Sequence, residues 1–229
     1  MRTSLSKSEL MDYISSQLDH LFPDKYKFQG DDVCSALNLA LERTEFCFKH
    51  ITLNGYTDQN GAVFSHLHSD QYSQFLFFLS NSLWNISQNK PISDKLIYLN
   101  KALNGLFYSY KCKLPNIFLF GHPVGTIIGN AVYSDFLVIF QNVTINTDSD
   151  EDGNPAPVLG KGLFLAAGAK IIGNKPIGDR VSLGVNALVH QRSVPDDYVV
   201  IHQSNGEMKY KMRKKDDCMA QQYFNVPII

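Results

Sequence analysis

The sequence predicts an α+β chain, mainly β, in which a helical N-terminal half gives way to a parallel β-helix. Three observations predict it. Apolar residues recur at helical spacing over roughly the first 110 residues, and this spacing ends near Leu114. Beyond it, Ile139, Ile145, Leu159, Leu165, Ile171, Ile177, Leu183 and Val189 fall six apart, with one break of fourteen. Neither a strand (period 2) nor a helix (period 3.6) produces a period of six, whereas hexapeptide coils do.

In chain order, Leu10, Met11, Ile14, Leu18, Leu21 and Phe22 form a helical stripe that stops before Pro23. A second helix is expected from Asp31 to about His50, with Val33, Leu37, Ala40, Leu41 and Phe48 inward. A third starts near Ser69 or Asp70 and runs through QYSQFLFFLSNSLWN. A fourth takes Ser93 as N-cap and ends with Gly105 at C′. Four helices with short connections make a small bundle.

In the second half each hexad supplies one short strand and one turn, and three hexads complete a coil. Residues eighteen apart, such as Leu165 and Leu183 or Ile171 and Val189, then stack inside. Each such burial is worth roughly 1.5–3 kcal/mol. Asn142, Gly162, Gly168, Asn174 and Asn186 suit the corners. The break of fourteen requires an extruded loop, 146–157, and loops on a regular solenoid tend to carry function. The expected domains are 1–112 (helical), 113–201 (coils) and a tail, 202–229.

The 229 residues carry a formal charge of −1, which removes bulk attraction to nucleic acid or to an anionic membrane. The most apolar helical stretch, Tyr72 to Trp84, is too short to span a bilayer, so no membrane insertion is expected. The opening MRTSLSKSELMDYISS lacks the apolar core of a signal peptide. Cys34, Cys47, Cys112 and Cys218 form no CxxC and read as free thiols in a reducing, cytoplasmic compartment.

Four stretches carry candidate chemistry. FLFGHPVGTIIG sets His122 alone among apolar residues and glycines. A core histidine is the bland reading, and a general base is the sharper one. FSHLHSD gathers His66, His68 and Asp70 at a helix entrance, without the further ligands a metal would need. DSDEDG, from Asp148 to Gly153, fits half of a calcium loop, but the twelfth position is Leu159, so a solvated acidic loop is expected. No metal is expected. KYKMRKKDD reads as a solvated tail or as a contact for phosphates.

The order of these parts, with GHPVGTIIG opening the coils, FQNVTI before the loop and GLFLAAGAKIIGN after it, resembles the serine O-acetyltransferases of the hexapeptide acyltransferase superfamily. The resemblance implies a left-handed β-helix and acetyl-CoA as co-substrate. It also implies a homotrimer, or a dimer of trimers, with active sites between subunits. His122 matches the general base. Ala166, Ala167, Gly168, Lys170, Gly184 and Val185 match the coils that line the coenzyme A groove. Asp70, with His68 beside it, lies in the segment from which the family's helical domain reaches the acceptor.

The orienting acid upstream of the histidine is missing, since no carboxylate lies between Lys95 and His122. Asp70, Asp135 or a backbone carbonyl would have to replace it. The loop has Gly153-Asn154-Pro155-Ala156-Pro157 where the family carries Gly-Asp-Arg-His-Pro. The acceptor therefore stays open between L-serine and a sugar or nucleotide-linked sugar of surface-polysaccharide synthesis. An N-acetyltransferase of amino-sugars and a non-catalytic trimeric scaffold are the alternatives.

Overall fold

A computed structural model describes residues 1–146 and 156–229. The expected loop 146–157, with its DSDEDG and GNPAP stretches, lies almost wholly outside the described residues. The chain divides into two compact units, one of residues 1–49 and 53–111, the other of 50–52 and 112–229.

The first unit holds four helices: α1 (Lys7–Leu21), α2 (Asp31–Phe48), α3 (Ser69–Ser87) and α4 (Lys90–Asn104). A capping box opens α1. The Ser6 N–H donates to Glu9 Oε2 (2.7 Å) and the Glu9 N–H to Ser6 Oγ (3.3 Å). Leu10, Ile14 and Leu18 form its buried stripe. Asp31 and Asp32 place negative charge in the first turn of α2.

The middle helix α3 packs against both α2 and α4, so Phe75, Phe77, Phe78 and Leu79 are all buried. Helix α4 begins earlier than the sequence predicts. Its N-cap is Asn89, whose side chain accepts from the Ile92 N–H, and Ser93 sits buried one turn inside. Gly105 closes the helix with φ 65°. A small sheet, unforeseen in the sequence because its strands are so short, joins Arg2–Thr3, Gly61–Phe64 and Thr57–Asp58.

The second unit is built from three parallel ladders that the chain visits in turn. The first contains Phe118–Phe120, Leu137–Ile139, Phe164–Leu165, Ser182–Leu183 and Tyr198–His202. The second contains Ile127–Ile128, Thr144–Ile145, Lys170–Ile172 and Leu188–His190. The third pairs Val132–Tyr133 with Val158–Leu159 and continues through Ile177 to Val194. Leu165 pairs with Leu183 and Ile171 with Val189, the stacking the period of six predicts. Their side chains are buried in the core of the unit.

Each circuit turns through left-handed corner residues. After the first ladder these are Gly125, Asn142, Gly168 and Asn186, with φ between 56° and 74°. A Cβ on Gly125 would run into the Asn142 carboxamide, and one on Gly168 into that of Asn186. Glycine and asparagine therefore alternate where the coils approach most closely.

Residues 202–229 are folded onto the coils. Met208–Met212 pairs antiparallel with Tyr198–His202, so the run of alternating lysines lies on a strand. Farther on, Tyr223 stacks on Phe164 (ring centroids 5.9 Å apart) and Phe224 meets Phe136 edge-on (5.3 Å). Thr52 donates its backbone N–H to Tyr223 O (3.0 Å) and its hydroxyl to Gln222 O (2.8 Å), which explains why residues 50–52 belong to this unit.

Candidate active site

The corner after the first ladder differs between the first circuit and the rest. Gly121 N–H donates to Ile139 O, Phe140 N–H to Leu165 O, Ala166 N–H to Leu183 O and Gly184 N–H to Val200 O, at 2.8–3.0 Å. These four residues are thus equivalent. On the far side of the corner, Asn142 N–H donates to Val124 O, Gly168 N–H to Gln141 O and Asn186 N–H to Ala167 O, each at 2.9 Å.

The later corners therefore spend one residue on the turn: Gln141, Ala167 and Val185. The first spends three: His122, Pro123 and Val124. His122 stands on a two-residue insertion. The interval between the inward residues Phe120 and Ile128, eight rather than six, carried this signal in the sequence.

The insertion projects its first residue outward. His122 is exposed, while Gly121 and Pro123 on either side are buried. Its backbone is left-handed, φ 50°, a conformation in which histidine is enriched but which costs energy for any side chain with a Cβ. The insertion is tied internally by Val124 N–H to His122 O (2.7 Å) and Thr126 N–H to Pro123 O (3.1 Å). Under it, Phe140 lies so close to Gly121 that a Cβ there would sit 2.8 Å from the ring.

The residues matched to the coenzyme groove fall on the same edge of the coils. Ala166, Ala167 and Gly168 form this corner two circuits beyond His122, and Gly184 and Val185 form it three beyond. With strands about 4.8 Å apart, these stand roughly 10 and 14 Å along the stack from His122. Val185 is 61% exposed, and Lys170 folds its ammonium back onto Gly168 O (3.0 Å).

His68 and Asp70 lie in the other unit. His68 is the N-cap of α3, its Nδ1 accepting from the Gln71 N–H at 3.5 Å, and its ring meets Tyr56 edge-on at 5.7 Å. Asp70 is 6% exposed in the first turn, where Ser69 Oγ approaches Oδ1 at 3.4 Å. Burial first, and then the Asp70 charge, push the Tyr56 phenol well above its ordinary pKa.

Asp135, the other candidate acid, stands at a different corner of the coils from His122. Its carboxylate accepts from the Ile117 N–H (2.9 Å) at the next corner, beside the left-handed Phe136. A surface cleft of about 480 Å³ opens there, lined by Pro115, Tyr133, Asp135 and Lys161. The sequence reading passed over Gln141, the corner residue one circuit beyond His122. Its Oε1 is buried and has no hydrogen-bond partner among the described residues. Among the described residues no group of three or more His, Cys, Asp or Glu side chains is arranged to hold a metal. No helix among them is long and apolar enough to cross a membrane.

No family model matches the chain. It is 31% identical over 120 residues to a serine acetyltransferase of Synechococcus elongatus, covering 52% of this chain and 49% of that protein. It is 30% identical over 142 residues to a serine acetyltransferase of Staphylococcus aureus, covering 61% and 60%. The chain thus spans half to three-fifths of the curated relatives it matches.

The fold matches the crystal structure of Neisseria gonorrhoeae serine acetyltransferase with a TM-score of 0.67 at 18% identity, over 91% of this chain and 83% of that one. A serine acetyltransferase in complex with CoA matches with a TM-score of 0.53 at 22% identity, over 62% and 57%. The chain is thus similar in sequence to serine acetyltransferases over half or more of its length, and it shares their fold over nine-tenths of it.

Proposed function

We propose that the chain is an acetyl-CoA-dependent O-acetyltransferase acting on L-serine, with His122 as general base, built on a left-handed β-helix and working as a homotrimer. The observation that carries the reading is the corner insertion. It presents one imidazole on a strained backbone, in line with the Ala166–Gly168 and Gly184–Val185 corners. The relatives' names favour serine over a sugar as acceptor. The four cysteines, all free thiols, fit a reducing cytoplasm.

The chemistry follows from the imidazole. An alcohol is a weak nucleophile at neutral pH, and imidazole, with an unperturbed pKa near ~6.5, suits the removal of its proton during attack. His122 takes the hydroxyl proton as the oxygen bonds to the thioester carbonyl carbon. Collapse of the tetrahedral intermediate breaks the carbon–sulfur bond, and the imidazolium returns the proton to the departing CoA thiolate. The products are O-acetylserine and CoA. Backbone N–H groups at a glycine-rich corner suit the transient oxyanion. The thioester is already activated, so neither a protein nucleophile nor a metal is required.

Thiol release from acetyl-CoA, measured with L-serine and with a panel of sugars, tests the reading. Serine-dependent release is expected, and His122→Asn, which tolerates a left-handed backbone, should lower it by about 10²–10⁴-fold. Release that depends on a sugar and not on serine would transfer the reading to that acceptor. No release with any acceptor would leave a non-catalytic scaffold, and full activity in His122→Asn would remove His122 as the base.

A further inference from the structure

Thr126 is fully buried, four residues past His122. Its hydroxyl donates to Phe140 O (2.9 Å) and accepts from the Val143 N–H (3.2 Å). Both partners belong to the corner turn of the second circuit, which carries Gln141. In the third and fourth circuits the matching turns close directly, Ala169 N–H on Ala166 O and Ala187 N–H on Gly184 O, each at 3.0 Å. Of these three circuits only the second has its turn opened, with a hydroxyl from the circuit before placed in the gap.

The same residue also grips the insertion, through its N–H on Pro123 O. Thr126 therefore connects the segment that presents His122 to the turn beneath it. The costly features of the region collect around this connection: the left-handed backbone of His122 and the Gln141 Oε1, buried without a partner among the described residues. A buried polar atom without a partner costs on the order of 1–3 kcal/mol, and such costs persist where function requires the geometry.

We propose that Thr126 is a positioning residue for acetyl transfer, whose hydroxyl fixes the height and direction of His122 by pinning the inserted corner to the open turn below. The proposal rests on His122 being the general base. An error near 1 Å in the placement of a catalytic group costs up to about 100-fold in rate, which sets the size of the expected effect.

The test compares Thr126→Val, Thr126→Ser and His122→Asn with the wild type, following thiol release and thermal melting. Valine keeps the shape and removes the hydroxyl. Phe140 O and Val143 N–H can then close on each other as the later turns do, so the coils should stay folded. Thr126→Val is expected to lose about 10- to 100-fold in kcat, with KM for acetyl-CoA within about twofold of wild type. Thr126→Ser should return kcat to within about threefold of wild type, because it restores both hydrogen bonds.

A purely structural residue would lower the melting point and change kcat and KM together, or not at all. The proposal is overturned by an unchanged kcat in Thr126→Val, by a valine variant that no longer folds, or by a serine variant as impaired as the valine. Should His122→Asn keep full activity, the general-base reading fails and this one with it. Loss in His122→Asn beside an unaffected Thr126→Val removes this inference alone.

Discussion

Asp197 joins charge and backbone geometry in one side chain. Its φ of 62° places it in a column of left-handed corners with Phe136, Gly162 and Arg180. Its carboxylate receives Arg180 Nε (2.8 Å) and Nη2 (3.1 Å), and Arg213 Nε at 2.9 Å. The Arg180 hydrogen bond, seconded by Arg213, holds the carboxyl at a pKa of about 2. A carboxyl depressed in the folded state gives stability that is present in full above its unfolded value, near ~3.9, and is lost as pH falls through about 2. Asp197→Asn removes the charge and tolerates the left-handed backbone. The wild type is expected to melt higher at pH 6, and the gap should close between about pH 4 and pH 2. Melting curves across that range check it, and a gap that stays constant would count against the assignment. His122 shows what was legible at this scale. Its apolar setting marks it in the sequence, and the eight-residue interval from Phe120 to Ile128 carries the insertion, but only the hydrogen bonds to the next circuit identify which residues form it.

At the scale of elements, the corners are where sequence and geometry are tied most tightly. Gly168 has φ 73° and lies under the Asn186 carboxamide, with no room for a Cβ. Gly168→Ala combines an unfavourable backbone with a clash, and it is expected to destabilise the coils by about 1–3 kcal/mol. Gly206 has φ 85° and open space around it, so Gly206→Ala isolates the backbone cost. Urea unfolding of both variants should show the larger loss at Gly168; equal losses would mean that the Asn186 contact gives way freely. The hexads were readable for a related reason. Where each corner takes the same number of residues, the inward aliphatics keep a spacing of six, as Leu165, Ile171, Ile177, Leu183 and Val189 do. The period failed where the count changes. It lost Ile128, which stands five before Tyr133, and Phe120, which stands eight before Ile128 across the His122 insertion. It stopped at Val189 because Val194 follows after five residues, although the ladders continue through Val194 and Val200. The strand Met208–Met212 is hidden in the sequence because its lysines read as a charge run, and the α4 cap falls at Asn89 rather than the expected Ser93, since either residue type caps a helix.

At the scale of the whole molecule, the outward side of the third ladder bears on assembly. Val132 and Val158 are paired in register there and are 54% and 51% exposed, while their neighbours Tyr133 and Leu159 point inward. Single exposed aliphatics are ordinary on protein surfaces, but two stacked on adjacent strands form a ridge that association would remove from water. Val124 and Val185, each 61% exposed, stand along the edge that carries His122, so an assembly covering that edge would bring a second chain to the proposed catalytic corner. Closed symmetry is the usual outcome for identical chains, and in a three-fold ring one surface of each chain meets a different surface of the next, so the ridge of one chain can face the His122 edge of its neighbour. Sedimentation or light scattering is expected to give a mass three times the 25.8 kDa of one chain. Val132→Lys combined with Val158→Lys charges the ridge without touching the buried core. This variant should shift the mass toward a single chain while its circular dichroism stays that of the wild type. Loss of acetyl transfer in the folded, dissociated variant would show that the corner is completed by a neighbouring subunit. A wild type that sediments as one chain, or a dissociated variant with full activity, would mean that His122 and the coils of a single chain suffice.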